Sequence, residues 1–323
     1  MMIGKRVLRL AVPVAIAFGL AHQAGAAGFP EKDITFIIPY STGGGMDTTA
    51  RAVAQVMGKY LPNRVNVVPK NVPGAAGRRG YNELVRMPPD GYTICVVNFP
   101  GAAIPALTGE EVTYDIDRFA WIGRMSTSAY VLAVAAKNDK IKNFADIRTL
   151  GRPIKITHTG FGSTSYAAAG IVKDAMGFKG VALTGYKSSQ EYILGMIRGD
   201  GDATVAPVES FYKFVEAGDV RPLVTFEAQS TLPGTPTARS LGYPELEGLG
   251  VDRMVAAPPG TPSEIRKILS DAMQKAIQDP ETLAWAKKTQ RPFAPLDTDA
   301  ATAYVAQATA LYRKYKSSLQ KQD

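Results

Sequence analysis

Ile34-Thr35-Phe36-Ile37-Ile38-Pro39-Tyr40-Ser41-Thr42-Gly43-Gly44-Gly45-Met46-Asp47 is the stretch on which the fold turns. Its first five residues are almost continuously apolar or β-branched, as in a strand buried on both faces. A helical pattern follows from about Thr48 to Tyr60. Between them, three consecutive glycines let the backbone turn tightly and approach a ligand. A helix start exposes unpaired N–H groups at a positive dipole end, so Gly43, Gly44 and Gly45 can hold an anion by backbone alone. Ser41 and Thr42 add hydroxyl donors. Asp47 is expected to cap the helix and to compete for some of those N–H groups. No Gly-Lys-Ser/Thr follows, so this is not a phosphate-binding Walker loop. Thr48 stands where a dinucleotide fingerprint needs its third glycine.

The same alternation continues outward. Strands are read at Val65–Val68, Tyr92–Val97, Val131–Ala136, Ile154–Thr157, Val181–Thr184, Ala203–Val208, Leu223–Phe226 and Met254–Ala257. Helices are read at Asn82–Met87, Ser165–Met176, Gln190–Arg198 and Asp299–Ser318. Strand–helix–strand order argues for an α/β protein with parallel sheets and helical crossovers. Thr261-Pro262-Ser263-Glu264 reads as a capping box. It opens a helix whose stripe is Ile265, Ile268, Leu269, Ala272 and Ala276. The irregular stretch from Gln229 to Gly250 is a candidate hinge or crossing segment. Gly199-Asp200-Gly201-Asp202 lacks the rest of a calcium loop and reads as a tight turn.

A second loop repeats the logic of the first. Thr159-Gly160-Phe161-Gly162-Ser163-Thr164-Ser165 runs from a strand into a helix, with two glycines and hydroxyls at the helix start. Gly-x-Ser-x-Gly, the esterase elbow, is not matched at Ser163 or Ser165. His158 precedes this loop without an evident acidic partner, so a serine hydrolase using Ser163 or Ser165 with His158 is the weaker alternative. Arg78 and Arg79 follow a third Gly-rich loop and read as solvated cations.

The chain of 323 residues carries a net charge of +8, one cysteine and two histidines. Its composition is that of a globular protein of about two domains. Lys5, Arg6 and Arg9, the apolar run Leu10–Leu20 and the small residues Ala24-Gly25-Ala26 form the three-part pattern of a secretory signal, residues 1–26. The alternative, an uncleaved anchor, suits a run this short and broken by Pro13 less well. Cleavage after Ala26 leaves 297 residues, a charge of +5 and His158 as the one histidine. A soluble, exported protein is expected. Cys95, inside an apolar run, reads as a small buried hydrophobe. So few histidines argue against a multi-His metal site or a His-rich catalytic centre. Nucleic-acid binding is excluded by the export signal and by the lack of a basic run or aromatic platform.

Several ordered motifs together carry a resemblance. They are Phe29-Pro30-Glu31-Lys32-Asp33-Ile34, Gly43-Gly44-Gly45-x-Asp47, Asn71-x-Pro73-Gly74-Ala75-Ala76-Gly77, Pro89-Asp90-Gly91-Tyr92-Thr93, Leu232-Pro233-Gly234-Thr235-Pro236-Thr237 and Ala257-Pro258-Pro259-Gly260-Thr261-Pro262. With them the chain resembles the periplasmic substrate-binding proteins of tripartite tricarboxylate transporters, the Bug family. The resemblance implies a two-domain periplasmic binding fold of Venus-flytrap type with a central cleft. It implies a discontinuous first domain, residues 28–125 plus 249–323, around a second, 126–248. It also implies a small organic carboxylate as ligand: a di- or tricarboxylate, or an aromatic acid. That ligand would be held by Tyr40 to Asp47 and by Thr159 to Ser165, with Tyr186 as a weaker contact. The implied partners are integral membrane transporter subunits, and the implied state is a monomer without cofactor. A sensor that presents the carboxylate to a membrane receptor would need the same cleft.

Overall fold

The computed structural model describes residues 28–186 and 188–320; the signal-like segment lies outside them. Its elements run β1 Ile34–Ile38, α1 Gly45–Met57, β2 Val67–Asn71, α2 Arg78–Leu84, β3 Thr93–Phe99, α3 Ile104–Thr108 and β4 Ala120–Ala135. They continue with α4 Phe144–Thr149, β5 Ile154–Thr157, α5 Thr164–Ala175, β6 Gly180–Leu183, α6 Ser189–Arg198, β7 Ala203–Pro207, α7 Tyr212–Glu216 and β8 Val220–Thr225. The last are β9 Gly250–Ala257, α8 Ser263–Gln278, α9 Pro280–Thr289, α10 Thr298–Lys314 and α11 Lys316–Leu319.

The strands follow the order β2-β1-β3-β9-β4-β7-β5-β6, with β8 on β4 as well. The flanks are parallel, as the alternation requires: β1 with β2 and β3, β5 with β6 and β7. The centre corrects the all-parallel expectation. There β9 pairs antiparallel with β3 and β4, and β4 pairs antiparallel with β7 and β8. β4 is 16 residues long and belongs to both lobes. Its first half pairs with β9 and its second half with β7 and β8, so these central strands join the lobes. The segment before Gly250 does not cross: it stays on the second lobe, where Gly248 donates to the Phe226 carbonyl at 2.7 Å.

Apolar side chains explain the layering. One continuous core runs through both lobes on one face of the sheet, from Ile37, Val97 and Phe99 to Leu132, Ile156 and Val205. Cys95 lies in it, fully buried and unpaired, and burial pushes its thiol pKa well up. The opposite face carries two separate cores. One holds Phe36, Val53, Val255 and Leu269 in the first lobe; the other holds Val131, Ile193, Ala206 and Phe211 in the second. The α8 stripe packs as its spacing implies, with Ile265, Leu269, Ala272 and Ala276 buried. The capping box does not form. Helix α8 begins at Ser263, and the Thr261 hydroxyl donates back to the Pro258 carbonyl at 2.8 Å. Helix α9 had no counterpart in the sequence reading.

Candidate functional site

The gap between those two half-cores is polar. Asn98 on β3 pairs in register with Arg253 on β9, and Arg253 pairs with Ser126 on β4. Residues directly opposite across strands share a face. Asn98 alternates with Ile94 and Val96, and Arg253 with Val255, so this polar row lies on the face of the split core. The C-terminal ends of β1, β3, β5 and β7 lead to this place, where open α/β sheets bind ligands.

The first loop reaches the row from the first lobe. Helix α1 starts at Gly45, three residues before the sequence reading, with Gly44 as its cap residue. Asp47 sits in the first turn, not at the cap, and is 1% exposed. Its carboxylate accepts from Gly43 N–H at 2.8 Å, Asn71 Nδ2 at 2.8 Å and Arg51 Nε at 2.8 Å. Burial pushes the Asp47 pKa up, but these donors outweigh it and hold the group below its ordinary value. Gly43 is therefore spent internally. Gly44 and Gly45 keep the N–H groups that a helix start leaves without intrahelical partners. Ser41, Thr42, Gly43 and Gly44 are exposed. Thr42 donates to Asn71 Oδ1 at 3.4 Å. Tyr40 turns its hydroxyl toward the Ala76 carbonyl and Tyr81, each at 3.3 Å, and burial raises its pKa. Its side chain braces the loop.

The second loop reaches the row from the other lobe. Thr164 Oγ1 donates to Asn98 Oδ1 at 3.5 Å, and a methyl group on Gly101 would meet Thr164 Oγ1 at 2.9 Å. Ser163 caps α5: its hydroxyl accepts from Tyr166 N–H at 3.2 Å and donates to the Gly160 carbonyl at 2.6 Å. Ser165 Oγ accepts from Thr159 N–H at 3.3 Å. A methyl group on Gly162 would lie 3.7 Å from Glu110 of the first lobe. Phe161 is 44% exposed and stands edge-on to Tyr166 at 5.4 Å. Tyr186 is set apart from the row. Its hydroxyl donates to Asp200 at 3.0 Å, and its ring fills the space beside Gly195 on α6.

The Ser–His alternative finds no geometry here. His158 is 1% exposed, its Nδ1 has no hydrogen-bond partner, and burial lowers its pKa to about 4. The Ser163 and Ser165 hydroxyls bond within their own loop. The Gly199–Asp202 turn is closed by ion pairs, Asp200 with Arg198 and Asp202 with Arg152. Arg78, read as solvated, pairs with Glu110 at 2.6 Å.

Sequence reasoning missed the charged end of the site. Arg253 Nη1 donates to Ser126 Oγ at 3.2 Å and Ser128 Oγ at 3.0 Å, and Nη2 reaches Glu209 Oε1 at 3.3 Å. Arg291, on the irregular segment after α9, comes to the same place. A methyl group on Gly45 would meet Arg291 Nη1 at 2.8 Å and Arg253 Nη2 at 3.2 Å. Two guanidiniums thus lie against the start of α1. The one available signal was a charged pair, Asp252-Arg253, beside an apolar run. Asp252 faces the continuous core, held by Arg124 at 3.2 Å and Tyr304 at 2.7 Å.

Among the described residues no helix is long and apolar enough to cross a membrane, and no cluster of His, Cys, Asp and Glu could hold a metal ion. The model of the tripartite tricarboxylate transporter family receptor, TctC, matches residues 49–310. A UPF0065 protein from the TAR-I ttuE-ttuC' intergenic region of Agrobacterium vitis is 29% identical over 299 residues, 91% of this chain and 83% of that protein. The fold is similar to a TctC solute binding protein from Polaromonas (TM-score 0.77, 23% identity, 89% of this chain and 98% of that one). It is also similar to MatC from Rhodopseudomonas palustris with bound malate (TM-score 0.71, 19% identity, 90% and 100%). The family model describes a receptor and the Polaromonas structure a solute binding protein, neither of them an enzyme. A match over most of the described chain, on a sheet that joins two lobes around a polar gap, places the protein in the TctC family of tripartite tricarboxylate transporter receptors.

Proposed function

We propose that the protein is exported, captures a small organic carboxylate between its lobes, and delivers it to the membrane subunits of a tripartite tricarboxylate-type transporter as a monomer. The observation that carries this reading is the break in the split core. Where the lobes meet, apolar residues give way to Asn98, Arg253 and Ser126, and two glycine- and hydroxyl-rich helix starts converge on them. The malate held by the neighbouring fold of MatC agrees with a carboxylate ligand. One carboxylate would rest on the free N–H groups of Gly44 and Gly45, helped by Ser41 and Thr42. Closure would bring Thr159 to Ser165 onto the same ligand, with Phe161 shaping the rim.

About four charge-assisted hydrogen bonds, at roughly 1.5–3 kcal/mol each, suffice for micromolar binding after losses. A thermal-shift panel of organic acids tests the reading, because a ligand that binds only the folded state raises Tm. Gly44→Asp tests the loop. The position has ordinary extended backbone (φ −72°) and open space, and Asp is a favoured cap residue. The variant should fold but bind carboxylates at least about tenfold more weakly, its own side chain taking the N–H groups. Unchanged affinity by calorimetry would reject the loop assignment.

A further inference from the structure

Arg291 is a half-buried cation without a carboxylate. Among the described residues its one polar partner is Thr48 Oγ1 at 3.4 Å. Burial and the neighbouring Arg253 charge push its pKa down, and Glu209 opposes them. Arg253 is 7% exposed, and its Nε is buried with no partner. Asp47 in the first turn of α1 is taken up by Gly43, Asn71 and Arg51, so the two guanidiniums share one nearby carboxylate, Glu209. Its Oε1 is also bonded to Ser128 Oγ at 2.8 Å. A charge so poorly compensated in a partly dehydrated place is costly, and a planar carboxylate is the group an arginine fork fits best.

Beside this pair lies a cavity of about 340 Å³, a size suited to one small ligand. Arg253 and Arg291 line it together with Val208, Tyr212, Pro292 and Phe293. The acids of its wall, Glu209 and Glu227, already have partners. Glu227 accepts from Thr225 Oγ1 at 2.8 Å and Thr231 Oγ1 at 2.9 Å. The cavity thus asks for one anion at its arginine end and offers apolar wall beyond it. A second anionic group placed inside would face two carboxylates.

We infer that Arg253 and Arg291 form an anion subsite of the cleft, and that the cavity beside them selects monocarboxylates with an apolar body, arylalkanoates above all, over di- and tricarboxylates. The inference rests on the proposed carboxylate-binding function and narrows its ligand class. Arg291 holds the carboxylate, Arg253 orients it, and Phe293 with Pro292 and Val208 covers the body.

Calorimetry with phenylacetate, acetate, adipate and citrate tests it. Phenylacetate should bind about tenfold or more tightly than adipate or citrate. Arg291→Gln should weaken phenylacetate at least about tenfold, with Tm unchanged without ligand. Phe293→Ala should weaken phenylacetate several-fold and leave acetate unaffected, which separates a ligand wall from a general loss of structure. Glu227→Gln should narrow the gap between adipate and phenylacetate. Tighter binding of adipate or citrate by the unaltered protein, or phenylacetate affinity indifferent to Arg291→Gln, overturns this inference and leaves the carboxylate receptor standing. Failure of every carboxylate to bind overturns both.

Discussion

His158 is a single residue that couples the molecule's stability to pH. The ring is buried neutral, with Nδ1 unpaired and a pKa near 4 against an ordinary value near 6.5. A lowered folded pKa means that the unfolded chain binds the proton first. Stability is therefore unaffected by this group above pH 6.5 and falls as pH drops from there to about 4. The full loss is roughly 3 kcal/mol. Comparing Tm at pH 7 and pH 4.5 should show a larger drop for the unaltered protein than for His158→Leu. Equal drops would mean that His158 takes up its proton in the folded state. The same residue shows what a sequence conveys poorly. Its place before a Gly-rich loop without an acidic partner favoured a structural histidine over a base, and its chemistry is set by the wall of side chains around it.

At the scale of elements, β9 against β4 is the tightest joint. A methyl group on Gly250 would meet the Ser128 carbonyl oxygen at 2.3 Å and Ala129 Cα at 2.9 Å, both backbone. Gly250→Ala should force the strands apart and cost about 2 kcal/mol or more, lowering Tm by roughly 5 °C. Gly44→Ala, with nothing nearer than 3.7 Å, should lower Tm by less, about 2 °C, the cost of alanine as a cap residue. Equal effects would show that the joint yields. This joint also marks the limit of sequence reading. The two loops were legible because glycine, hydroxyl and helix start are neighbours in the chain. β4 was read only from Val131, because Gly123, Arg124 and the polar run Ser126–Ser128 interrupt its apolar pattern. Arg253 was passed over because its meaning depends on register with Asn98, on a strand far away in sequence. The fold class was legible; the floor of the site was not.

For the whole molecule, binding between lobes implies closure about the central strands, a familiar hinge motion. Small-angle scattering should show a smaller radius of gyration with saturating ligand than without, and an identical radius would count against the hinge. The chain also makes a further crossing. Helix α11 packs on α3 of the first lobe and on α5 of the second. There the Ser318 hydroxyl donates to Asp174, and Tyr166 donates to the Gln320 carbonyl at 2.8 Å. Gly170 leaves room for the Ser318 carbonyl, which a methyl group there would meet at 2.4 Å. The C-terminal part assigned to the first domain thus ends against the second. Two adjacent strands alone make an axle about which one body can swing. An attachment away from that axle turns it into a braced joint, with a stop at one end of its travel. If the lobes swing as proposed, the span of α11 limits how far they can part, independently of the ligand. A chain ending at Lys314 should open wider without ligand and pay more entropy to shut, with every group in the cleft still in place.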